Sequence, residues 1–228
     1  MTVLHLADDG EAADLAAFLS RLIHYDRGAA VRLQATGTTL AVFGRPPSFE
    51  VLAVRAVRLA KPYEEGLDVR LDMTVSAGEL LEGVEESAAT AALPEPVTGP
   101  PWAGVLPPRG GWRAEPGLPG PEDLRATVAT AVAEFRSRTQ ELAPERRTRA
   151  ELDRIGREIW SRAVGDTGLP VRAVHAAQSL GFLHPASSAR GDEPLGLFSS
   201  GTWLRLRTPY GSIAVRRAGL GVLDVSVR

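Results

Sequence analysis

The stretch PPWAGVLPPRGGW, residues 100–112, constrains this chain more than any other. Proline fixes φ and removes a backbone donor, and glycine weakens helix and strand alike, so no long element can run through it. It sits in a longer segment, residues 85–120, dominated by Ala, Pro, Gly and Thr. That segment divides the 228-residue chain into an N-terminal part, 1–84, the connection itself, and a C-terminal part, 121–228. A solvated linker should avoid large apolar side chains, which repay ordering only when shielded. Two of the four tryptophans, Trp102 and Trp112, nevertheless fall here. One explanation is a strap that crosses the protein's own surface and tucks both indoles into it, its prolines holding an extended path at low entropic cost. The other is a recognition loop, with Arg109 offering charge and Gly110 and Gly111 allowing close approach to a partner. The strap predicts that all three parts form one body.

On either side the hydrophobic period changes along the chain. Leu15, Phe18, Leu19, Leu22 and Ile23 recur at helical spacing, with Asp8 or Asp9 available as cap. From Val31 the period becomes two. VRLQATGTTLAV reads as a hairpin about Thr36 and Gly37, SFEVLAVRAVRLA as a longer strand, and LDVRLDMTV as a strand with Leu67, Val69, Leu71, Met73 and Val75 on one face. Ser76 then caps a short helix. Beyond the strap, Pro121 opens a helix whose buried side carries Leu124, Val128, Val132 and Phe135. Pro144 interrupts it, and a capping box from Thr148 to Glu151 starts the next, with Leu152, Ile155, Ile159 and Ala163 as its stripe. A third helix runs from Pro170 to Leu180 and stops at Gly181. GTWLRLRTPYGSIAVRR is a hairpin turning at Pro209, Tyr210 and Gly211, and GVLDVSVR is a final strand.

The two hairpins, from Val31 and from Leu204, align without a gap, and each precedes a VL-x-V strand from Val51 or Val222. Both a duplicated three-stranded unit and the general likeness of hairpins account for this. The expected fold is α+β: two small antiparallel β-meander sheets, N- and C-terminal, packed with a central group of helices.

Chemistry is sparse. Cysteine is absent, which removes disulfides and thiolate chemistry. His5, His24, His175 and His184 are scattered and lack the i, i+4 spacing with a third ligand that zinc requires. There is no nucleophile elbow, Walker loop or dinucleotide fingerprint. Asp68, Asp72, Glu79 and Glu82 are acidic neighbours, of which the first two lie on a strand's polar face and read as solvated. No catalytic residue, metal or cofactor is expected. A net charge of −2 argues against a general nucleic-acid or membrane-surface binder, and the lack of a long apolar run or a leader pattern makes the cytoplasm the expected location.

One patch carries more. Alternation in the C-terminal hairpin places Leu204, Leu206, Ile213 and Val215 inside and Trp203, Arg205, Arg207 and Arg216 outside. A tryptophan among arginines can receive an acidic partner or stack a base; it can equally be a solvated face with cation–π packing. With Trp102, Arg109 and Trp112 these are the candidate partner-binding residues, and the expected function is that of a non-enzymatic adaptor binding another protein, or a second copy of itself as a homodimer. The order helix 148–164, turn, helix 170–180, hairpin 202–217 offers an alternative, a winged helix-turn-helix for DNA, although Arg172, His175, Gln178 and Ser179 give its reading helix little phosphate-binding charge. A third possibility is an enzyme or small-molecule binder with a pocket between the two halves.

GVLPPRGGW, LGFL and GTWLRLRTPYGSIAVRR together resemble a family of actinobacterial proteins of unknown function, over about the second half of the chain. The resemblance implies a soluble bacterial protein and transfers no active site.

Overall fold

The side chain of Asp8 accepts the Glu11 amide at 2.8 Å, and that cap starts the first long helix. In the computed structural model, which describes residues 2–61, 71–184 and 195–217, the helix follows a short strand. The N-terminal elements are β1 (Val3–His5), α1 (Asp9–Tyr25), β2 (Ala30–Thr36), β3 (Thr39–Gly44), β4 (Leu52–Arg58), β5 (Asp72–Ser76) and α2 (Ala77–Glu82). The β2–β3 turn contains Gly37 at φ 55°, a left-handed conformation that glycine adopts freely. Within the expected strand 67–75, Leu71, Met73 and Val75 face the core; Leu67, Asp68 and Val69 lie outside the described residues.

The connecting segment is more structured than its composition suggests. It contributes β6 (Val84–Glu85), β7 (Thr90–Ala92), a 3₁₀ turn (Pro101–Gly104) and β8 (Arg113–Glu115). After it come α3 (Pro121–Gln140), α4 (Arg149–Trp160), α5 (Val171–Ser179), β9 (Gly196–Ser200), β10 (Trp203–Thr208) and β11 (Gly211–Arg216). Thr148 caps α4 by accepting the Glu151 amide, as the capping box requires. Ala163 falls beyond the end of α4 and is exposed, so the stripe of that helix ends at Ile159.

An α+β fold is observed, but the expectation of two small sheets is corrected. One antiparallel sheet of eight strands runs in the order β5-β2-β3-β4-β11-β10-β9-β8, and a separate one of three runs β1-β7-β6. The join is β4 against β11, with Leu52 opposite Ala214, Ala53 opposite Ile213 and Val54 opposite Ser212. A meander standing alone leaves a row of unpaired donors and acceptors on its edge; here the edges of the two meanders satisfy each other. β4 is thus the neighbour of both β3 and β11. The expected last strand from Val222 lies outside the described residues.

The helices cover one face of the large sheet. Leu15, Phe18, Leu19 and Leu22 of α1, Val171 and Val174 of α5, and Leu204, Leu206, Ile213 and Val215 of the C-terminal hairpin share one core. Phe18 stacks on Phe182 with ring centroids 5.7 Å apart, and a Cβ on Gly211 would lie 2.7 Å from that Phe182 ring, which explains glycine at the end of the turn. α1 is also tied to β4 by charge. Arg55, almost fully buried, pairs with Glu11 and Asp14 at 3.2 Å each and donates to the Tyr210 carbonyl at 2.6 Å.

The strap covers the opposite face. The Val97 amide donates to the Thr74 carbonyl of β5 at 2.9 Å, and Gly99 lies so close to the Thr74 side chain that a Cβ would come within 3.0 Å. At the other end of the sheet Ser200 donates through its hydroxyl to the Gly110 carbonyl, and β8 pairs with β9. The segment therefore begins on one edge strand of the sheet and ends as the other. Beneath its path Phe43, Leu52, Val54 and Ala214 are buried, although the pleat turns them away from the helices.

Candidate functional site

The structure separates the sequence-derived residues into three groups. Trp112, Arg205 and Arg207 are engaged in holding the strap and the hairpin. Trp112 donates its indole N–H to the Pro108 carbonyl at 3.0 Å and lies 5.7 Å from the Arg205 guanidinium carbon. Arg205 also donates to the Ser212 hydroxyl, and Arg207 lies 5.0 Å from the Phe198 ring. Arg109 is exposed; its charge helps to hold the Asp72 carboxyl below its usual pKa, behind the hydrogen bonds from Arg32 and Gln34.

Trp102, Trp203 and Arg216 do come together. They line an open cleft of about 400 Å³ beside the start of β4 and the end of β11, in the middle of the large sheet's strand order, a volume within the range of small-ligand sites. Val51, Leu52, Ala214 and Val215 make an apolar floor, and Val105, nearly half exposed, extends it along the strap. Arg45, Glu50 and Arg172 complete the lining. Three guanidinium groups and one carboxylate leave a local charge of about +2.

Each wall follows from local structure. The 3₁₀ turn Pro101–Gly104, entered from Pro100, carries Trp102, which lines the cleft. Strand pairing sets Trp203 opposite Arg216, whose guanidinium carbon sits 5.1 Å from the indole centroid, a cation–π arrangement that holds both side chains ready. Arg172 stands in the first turn of α5. Its Nε is buried without a hydrogen-bond partner, and among the described residues the carboxylate paired with it is that of Glu50, at 3.8 Å. Glu50 and Ser48 both have left-handed backbone, φ 54° and 69°, uncommon for residues with a Cβ and recurrent at binding sites. Between them Phe49 packs edge-on against His175 at 5.1 Å, and His175 stacks on Trp160 at 4.7 Å. Burial holds His175 below its ordinary pKa.

Sequence reasoning missed Arg45, Glu50 and Val105 in this cleft, and noted Arg172 only for DNA. Their common signal is weak: Ser48, Phe49 and Glu50 read as the start of the strand that follows, whereas β4 begins only at Leu52 and Ser48 and Glu50 have left-handed backbone.

The geometry also bears on the alternatives. α5 buries Val171, Ala173, Val174, Ala176 and Ala177, packs against β11, and leaves only Gln178 fully exposed, so it has few side chains free for a DNA groove. At the seam of the two halves a cavity of about 190 Å³ is lined by Asp14, Arg21, Arg55, His184 and Tyr210 among others, and its Arg55 is held by Glu11 and Asp14. Among the described residues no three His, Asp or Glu side chains are grouped so as to hold a metal ion, and no helix is long and apolar enough to cross a membrane. The Arg-Gly-Asp tripeptide at 190–192 lies outside the described residues.

Two family models match the chain. Residues 107–220, half of its length, match the family described as Domain of unknown function (DUF8185). The chain belongs to that family. Residues 1–104 match a second, described as Domain of unknown function (DUF8010). No curated protein matches. The two matched segments of this DUF8185 protein meet inside the strap, between Trp102 and Trp112, and the cleft draws Arg45, Glu50 and Trp102 from one and Arg172, Trp203 and Arg216 from the other.

Proposed function

We propose that this protein is a non-enzymatic, cytoplasmic binding protein, an adaptor that receives an acidic segment of a protein partner in the cleft between Trp102 and Trp203. One observation carries the proposal. Arg45, Arg172 and Arg216 surround an apolar floor, and among the described residues none of them makes a side-chain hydrogen bond or an ion pair closer than the 3.8 Å contact of Arg172. Guanidinium groups left with this much spare donor capacity, beside indoles that offer flat apolar area, suit a carboxylate-bearing segment with an apolar side chain. The floor takes the apolar group and the rim takes the charge.

Selection from a displayed peptide library tests this directly. The wild-type protein should enrich sequences in which Asp or Glu neighbours an apolar residue, and the Arg45→Gln, Arg172→Gln, Arg216→Gln triple variant should lose that enrichment while keeping its far-UV spectrum. A consensus without acidic residues, or one that the triple variant retains, would show that the cleft is not the recognition site.

A further inference from the structure

The loop that carries Glu50 already presents α5 with the chemistry expected of such a partner. Phe49 rests on His175, and Glu50 points its carboxylate at Arg172, one helical turn earlier on the same side of α5. Glu50 does this from a strained backbone, and three quarters of its side chain remains in solvent. At 3.8 Å the contact is an ion pair without a hydrogen bond, so the buried Arg172 Nε that faces Glu50 has its hydrogen bond unmet. A rigid purpose in folding would call for a close, shielded pair, as Arg55 makes with Glu11. A loose pair on a strained turn, at the edge of an otherwise cationic cleft, has a different use.

We infer that Glu50 is a built-in competitor, a carboxylate of the chain itself that occupies Arg172 in the free protein and is displaced when the partner's carboxylate arrives. This rests on the cleft being the recognition site, and adds how that site discriminates. A neutral or weakly acidic segment cannot outbid Glu50, whereas one that engages Arg172 with both carboxylate oxygens replaces an open contact with a paired one. Like charge between Glu50 and the incoming carboxylate also raises the threshold, so the site answers only to segments that reach the other two arginines as well.

Fluorescence anisotropy with two labelled pentapeptides separates the possibilities: Glu-Glu-Leu-Glu-Glu and its neutral counterpart Gln-Gln-Leu-Gln-Gln, titrated with the full chain. The wild type should bind the acidic peptide and not the neutral one. Glu50→Gln keeps side-chain size and hydrogen-bonding capacity at the left-handed position, and should bind the acidic peptide about three- to fivefold more tightly, the range expected for removal of an exposed charge contact. Arg172→Gln should weaken binding and, combined with Glu50→Gln, should erase the gain. If Glu50→Gln binds no better than wild type while Arg172→Gln still weakens binding, the competitor role is overturned and the cleft stands. If neither wild type nor Glu50→Gln prefers the acidic peptide, the cleft itself is overturned and the competitor with it.

Discussion

Arg55 on β4 donates to the main-chain carbonyl of Tyr210, 155 residues away, while its other terminal nitrogen meets Glu11 and Asp14 on α1. One side chain therefore joins the first helix, the central strand and the turn of the last hairpin. Burial lowers its pKa, and Glu11, by charge and hydrogen bond, offsets part of that. A guanidinium this well paired remains protonated, and the two carboxylates are what make its burial tolerable.

Removing it should cost more than losing a surface contact. Arg55→Ala takes from the buried Glu11 carboxylate its buried guanidinium partner, while Arg58, which also donates to it, is largely exposed, and deletes the tie to Tyr210. Equilibrium urea unfolding should show a loss of about 3–5 kcal/mol, the range for breaking one side of a buried pair. A loss near zero would mean that the network is not a fastener of the two halves.

How much of this was legible in the sequence depended on how local the cause was. The caps at Asp8, Ser76 and Thr148, the Gly37 turn and the alternation that set Leu204 and Leu206 against Arg205 all act within a few residues, and each is observed. The β4–β11 pairing acts between strands far apart in the chain. Nothing in either strand's own composition distinguishes an edge that meets solvent from one that meets a distant partner. The candidate residues divided for the same reason: alternation placed Trp203, Arg205, Arg207 and Arg216 on one face, but only the path of the strap decides that Arg205 lies by Trp112 and that Arg216 lies at a cleft.

The strap gives a second prediction. Trp112→Ala removes the indole beside Arg205 and its hydrogen bond to Pro108, leaving the segment between the 3₁₀ turn and β8 less firmly held. Stability should fall by about 2 kcal/mol, from half-buried aromatic area and one cation–π contact. Limited proteolysis should cut between residues 104 and 112 faster than in wild type. Unchanged cleavage would mean that Trp112 is not what pins the segment.

His175 makes stability depend on pH. Its folded pKa lies below the ordinary value because burial between Trp160 and Phe49 disfavours the charged ring. Between that lowered value and about 6.5 the unfolded chain binds the proton more readily, so stability rises with pH across this window. The contribution is complete above about pH 6.5 and is lost as the pH falls through the folded value. His175→Phe, which keeps a ring in the stack, should flatten the dependence of the urea midpoint between pH 5 and 7; an equally steep profile in the variant would assign the dependence to another group.

The β4–β11 join within the large sheet decides whether the two matched segments can stand apart. A fragment of residues 1–104 would keep β2 to β5 but expose β4, with Leu52 and Val54 no longer covered by the rest of the strap. A fragment of residues 105–228 would expose the edge of β11 and uncover the face of α5 that Phe49 and Glu50 occupy. Each open edge is a template for pairing with another chain. Expressed alone, both fragments should aggregate or lack a cooperative unfolding transition; co-expressed, they should purify as one complex with the far-UV spectrum of the intact chain. If either fragment is monomeric and unfolds cooperatively by itself, the sheet is two independent units placed side by side, and the cleft between Trp102 and Trp203 loses the fixed spacing that its recognition role requires.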